Sequence, residues 1–195
     1  MQNTGFLDLL FNMLLGITVL FCVSFMMIRP QTKQADMKNK AEYVITVSWP
    51  NDNKDDIDTW LEDPLGGQVW FSQKEKNFAH LDRDDLGYSN DTVVMADGSI
   101  VTCPRNQELT TIRGFIAGEW TLNIHAYNKR EKNPTLVTAT IDRINPQFST
   151  VFYKEVVLSN QWEETTATRF VMSANGDIMS FDPTYKNLVR SRGAP

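Results

Sequence analysis

The feature that most constrains this chain lies at its start. MQNTGFLDLLFNMLLGITVLFCVSFMMIRP holds an apolar run from Phe6 to Ile28 interrupted by a single charge, Asp8. About 23 residues rising about 1.5 Å each give about 34 Å, enough to cross a hydrocarbon core of about 30 Å with some tilt. Residues 1–28 are therefore predicted to form a short N-terminus and one transmembrane helix. A cleaved signal peptide is the competing reading and fits less well. No Lys or Arg precedes the run, the run is too long, and no small-x-small site follows before RPQTKQ.

Residues four apart share a helix face, so Thr4, Asp8 and Asn12 form one short polar stripe on an otherwise apolar cylinder. A carboxylate facing lipid costs on the order of 3 kcal/mol, so an intramembrane Asp normally faces a partner helix or a water path and relays ions. A carboxyl group is neutral when sealed from water and ionised when exposed, which is what a proton carrier needs. The alternative is an ordinary acid at a helix start, held in the headgroup zone and favoured by the helix dipole.

The stretch Thr4-Gly5-Phe6-Leu7-Asp8-Leu9-Leu10-Phe11-Asn12-Met13-Leu14-Leu15 resembles the single transmembrane helix of the ExbD, TolR and MotB class. Those proteins are the small, usually dimeric subunits of proton- or sodium-driven rotary motors. Their helices sit inside a pentameric ring of multi-span MotA, ExbB or TolQ-like subunits. The resemblance implies a homodimer in the bacterial inner membrane, a single-pass chain whose C-terminal domain is periplasmic and meets a further extracytoplasmic partner. It makes Asp8 the ion-translocating residue, with Thr4 and Asn12 on its supporting polar face and a proton or sodium ion as the coupling ion. The chain departs from the class in three ways. Gly5 stands where many members have Pro; no basic tail precedes the helix, and Arg29, Lys33, Lys38 and Lys40 follow it instead; nothing downstream resembles the peptidoglycan-binding domain of flagellar stators. Counted by positive charge alone, the flanks would favour a cytoplasmic domain, opposite to the class.

Residues 29–41, RPQTKQADMKNKA, lack aromatics and open with a Pro just past the helix, so they read as a linker. A channel plug is the other role such a segment takes in stators, and Met37 is the one large apolar side chain it could offer. From Glu42 onward the apolar period becomes two. The runs 43–49, 67–71, 120–127, 136–141, 151–158 and 168–172 are rich in β-branched and aromatic residues. PNDNKDD, DPLGG, GYSND, ADGS, NKREKNP and SANGD separate them as turns. Seven or more short strands at this spacing predict an antiparallel, jelly-roll-like β-sandwich over residues 42–181, followed by a C-terminal tail, 182–195. DIDTWLEDP, GQVWF, LDRDD and AGEWTLNIHAY within it look like β-sandwich domains of bacterial secreted and surface proteins, similar to pre-peptidase C-terminal and YfaP-like modules. That second resemblance implies a fold and an extracytoplasmic habit rather than an activity.

The formal charge of −5 masks an asymmetry, since residues 1–41 carry four basic side chains against Asp8 and Asp36. The acidic remainder argues against nucleic acid as a partner. Cys22 and Cys103 lie in different segments and are not expected to pair. No nucleophile elbow, zinc-hydrolase helix, CxxC pair or phosphate-cradling loop is present, and His80 and His125 are the only histidines, so no enzymatic activity is expected. Asp56, Asp58, Asp82 and Asp84 would suit calcium if their turns converge, although acidic turn residues also serve purely conformational ends. The five tryptophans, at 49, 60, 70, 120 and 162, are expected mainly in the core, with a carbohydrate face as the other use. Two functions remain at this level: an ion-conducting motor subunit that transmits force through its sandwich, and a membrane-anchored module recognising a surface glycan or protein.

Overall fold

A computed structural model describes residues 4–27 and 40–189 in two compact units, an N-terminal helix and a β domain. Most of the expected linker and the end of the expected tail lie outside the described residues, as does Met37.

The helix, α1 (Thr4–Met27), is continuous over 24 residues. Its Thr4–Phe25 stretch has a mean hydropathy of 2.2 and is long and apolar enough to cross a membrane. Thr18 returns its hydroxyl to the Leu14 carbonyl at 2.8 Å, so its polar group is absorbed within the helix. Phe21 and Phe25, one turn apart, stack at 6.4 Å.

The β domain consists of two antiparallel sheets and a small hairpin. Its strands are β1 (Tyr43–Ser48), β2 (Asp56–Glu62), β3 (Gln68–Val69), β4 (Glu75–Lys76), β5 (Ala79–Arg83), β6 (Thr92–Val94), β7 (Ile100–Thr102), β8 (Gln107–Ile112), β9 (Gly118–Asn128), β10 (Thr135–Arg143), β11 (Ser149–Leu158), β12 (Glu164–Met172) and β13 (Ile178–Asp182). The larger sheet runs β11-β10-β1-β8-β5-β4, the smaller β13-β12-β9-β2-β3, and β6 pairs with β7 apart from both. The antiparallel sandwich expected from the alternating pattern is thus present.

Alternation sets the core. Tyr43, Ile45 and Val47 of β1 and Val137, Ala139 and Ile141 of β10 meet Ile57 and Leu61 of β2 and Trp120, Leu122, Ile124 and Ala126 of β9 in one buried cluster. The Tyr43 hydroxyl crosses to donate to the Gly176 carbonyl in the β12–β13 turn at 2.6 Å. Of the tryptophans, Trp49, Trp60 and Trp120 are buried, whereas Trp162 is 60% exposed. Residues 183–188 carry no regular structure, yet they are fastened: Asn123 donates to the Lys186 carbonyl, Glu164 accepts from the Leu188 amide, and Lys186 pairs with Glu62 at 2.8 Å.

β2 has a second buried face. Asp58 and Trp60 project opposite to Ile57 and Leu61, and a further layer covers them. Trp60 stacks on Trp70 at 4.5 Å, and the ring chain continues through Phe71 and Tyr127 to Trp162 and His125. This aromatic layer covers Trp60 on the face of β2 opposite the core, while Ile57 and Leu61 are buried in the core itself.

Candidate functional site

In the helix, Thr4, Asp8 and Asn12 are exposed and lie at four-residue intervals on one face. No acidic residue stands in the first turn of the helix, and Asp8 opens the second. The helix dipole acts mainly within the terminal turn, so it gives Asp8 little reason to be there.

In the β domain, one oxygen each from Asp58, Asp84 and Glu108 lie within 4.8 Å of one another. Three elements deliver them. Asp58 comes from β2, across from His125 of β9. Glu108 belongs to β8, whose alternation turns Glu108, Thr110 and Ile112 inward. Asp84 follows β5 directly, one step beyond the Arg83–Leu109 pair, and so arrives beside Glu108.

The cluster marks the seam between the two sheets. β3 covers β2 only at Leu61 and Glu62, so among the described residues the edge of β2 before them has no strand neighbour on that side. Glu108 Oε2 reaches across from the other sheet and accepts the Thr59 amide at 2.5 Å. Its second oxygen, Oε1, is buried without a hydrogen-bond partner, as is Asp58 Oδ2. His125 Nδ1 lies 3.7 Å from Asp58 Oδ2, too far for a hydrogen bond. Exposure is 1% for Glu108, 3% for Asp58 and 4% for His125. Lys74 pairs with Asp84 Oδ2 at 2.9 Å.

Burial dominates the electrostatics. Desolvation, reinforced by the charge of Asp58, holds the Glu108 carboxyl well above its ordinary range. Desolvation also raises Asp58, against the lowering influence of His125. Asp56 is pushed up to about 7 by burial and then by Asp58. Asp85 is raised by burial although Arg83 and the Gln107 amide oppose the rise. A divalent cation bound by the oxygens of Asp58, Asp84 and Glu108 would favour their ionised forms against this burial.

Of the four aspartates expected to converge, Asp58 and Asp84 do. Asp56 is buried nearby but contributes no oxygen to the group. Asp82 does not join it. Two residues on from His80, it keeps to the same side of β5, and the slip in the β5–β8 ladder between Leu81 and Arg83 is what brings Asp84 rather than Arg83 opposite Glu108. There it meets His80 Nδ1 at 3.0 Å, Thr111 Oγ1 at 2.6 Å and the Arg113 guanidinium. Glu108 was not expected, because a Glu in a strand ordinarily faces water. Its signal was the alternation in QELTTI, which sets Glu108 on the same face as Ile112.

The conformational use of acids is also visible. Asp63, Asp85, Asp97 and Asp182 each accept a backbone amide two residues on, as turn aspartates do. Cys22 and Cys103 are both free and exposed. No family model, curated protein or solved structure compared with the chain matches it.

Proposed function

We propose that the chain is the small, ion-carrying subunit of an ion-driven rotary motor, of the kind the ExbD, TolR and MotB class provides. Two copies would place α1 inside a ring of multi-span subunits, and Asp8 would bind and release a proton or sodium ion as the ring turns. The transmembrane potential supplies about 2.3 kcal/mol per charge per 100 mV for such work. The β domain, held outside the inner membrane, would pass the resulting force to a partner.

The observation that carries this reading is the placement of Asp8. It lies one turn inside a continuous apolar helix, on a face shared with Thr4 and Asn12, and it is the single charged side chain between Thr4 and Met27. An anchor has no use for a carboxylate there, whereas an ion relay requires one.

Purification of the full chain in mild detergent, with subunit counting, tests the assembly. A multi-span protein is expected in excess over two copies of this chain. Asp8→Asn is expected to preserve that complex and abolish ion flux through it. Full ion-driven activity in the variant removes the motor reading. A chain that purifies without any multi-span subunit favours the other reading, a tethered recognition module, for which exposed Trp162 packed edge-on to Tyr127 offers a stacking face.

A further inference from the structure

We propose that Asp58, Asp84 and Glu108 form a calcium-binding centre that fastens the two sheets of the β domain to each other along the open edge of β2. The inference is independent of the motor reading and rests on the β domain alone.

Three observations carry it. First, the group is not simply acidic. Glu108 is 1% exposed and Asp58 is 3% exposed, and each leaves one buried carboxylate oxygen without a hydrogen-bond donor. Native proteins leave few buried polar atoms in that condition, and an ion is one of the standard reasons. The neighbouring buried carboxylate Asp55 is, by contrast, surrounded by donors from Lys129, Thr135 and the Arg130 and Glu131 amides. Nothing comparable serves Glu108 Oε1.

Second, the donors suit a hard cation. All three are carboxylates, and no sulfur ligand is among them. Their oxygens all lie within 4.8 Å of one another, close enough for one ion to touch all three, and calcium accepts such irregular carboxylate sets where magnesium demands near-octahedral geometry. Three carboxylates brought this close disfavour one another's ionisation, and a divalent cation between them would reverse that.

Third, the ligands come from both sheets, β2 of the smaller and β8 and the end of β5 in the larger. Binding therefore couples to docking of one sheet on the other, and the folded state alone assembles the set.

The test uses the full chain in detergent at pH 7.5, freed of metal by chelation and then titrated with calcium chloride while heat and the unfolding midpoint are read. One calcium per chain is expected, with the midpoint rising by about 5 °C or more at saturation. Asp58→Asn and Glu108→Gln are expected to weaken binding at least tenfold and to lose that rise, while Asp82→Asn keeps both. Gln retains an oxygen for the Thr59 amide, so Glu108→Gln separates loss of a ligand from loss of the fold. Should either ligand variant fail to fold, the wild-type stoichiometry and the Asp82→Asn control decide. Absence of both heat and midpoint shift in the wild type overturns the proposal. So does a shift that survives in Asp58→Asn and Glu108→Gln, or a magnesium shift as large as that with calcium.

Discussion

Asp55 and Glu108 are both buried carboxylates, and their surroundings are opposite. Burial pushes Asp55 up, but the Glu131 amide, the Lys129 ammonium, the Thr135 hydroxyl and the Arg130 amide outweigh it and hold the group below the ordinary 3.8. The Lys129 side chain is itself 5% exposed and also donates to the Glu131 and Asn133 carbonyls, so the pair closes the loop between β9 and β10 from within. Removing one partner of such a pair strands the other charge. Asp55→Ala is expected to cost about 3–5 kcal/mol in denaturant unfolding at pH 7. The linkage has a definite sign. Because the folded carboxyl is the stronger acid, its contribution is complete above pH 3.8 and disappears as pH falls through the lower folded value. Asp55→Asn should therefore be less stable than the wild type at neutral pH and approach it in strong acid, as read from unfolding midpoints across that range.

Three hairpins are built on one turn. In Asp63–Gly67, Met95–Ser99 and Ser173–Asp177 the fourth residue is a glycine at positive φ whose amide returns to the first carbonyl, while the first amide takes the fifth carbonyl. The turn residues DPLGG, ADGS and SANGD announce this geometry in the sequence. Their surroundings differ. A Cβ on Gly98 would meet nothing within 4 Å, whereas one on Gly176 would stand 2.3 Å from the Phe115 ring. Gly98→Ala should cost only the left-handed backbone penalty, about 1–2 kcal/mol. Gly176→Ala should cost visibly more in the same thermal or denaturant measurement, the excess reporting the Phe115 contact. Legibility at this scale follows the same physics. β1, β9, β10, β11 and β12 were readable because apolar and polar residues alternate over long runs, and β8 was missed because its inward positions carry Glu108 and Thr110 beside Ile112. Asp58 and Asp84 could be suspected as partners from residue type alone. The bulge that sets Asp84 beside Glu108, while Asp82 stays on the side of His80, is a ladder property with no residue signature.

At the scale of the whole molecule, the β domain holds its own buried apolar cluster, with members from β1 through β12. Residues 40–189 are therefore expected to fold without the preceding segment, keeping a strand-rich circular dichroism spectrum and one cooperative melt; a molten or aggregated product would show that the domain needs the helix. The order of the larger sheet has a mechanical corollary. β1 is the first strand after the helix-bearing segment, and it is clamped between β10 and β8 with six residue pairs on each flank. If the proposed motor role holds, a tug arriving along the chain from the helix-bearing segment meets a central rung rather than a peelable edge. It must slide β1 past two neighbours at once, which is where a tether meant to withstand traction would be sewn in.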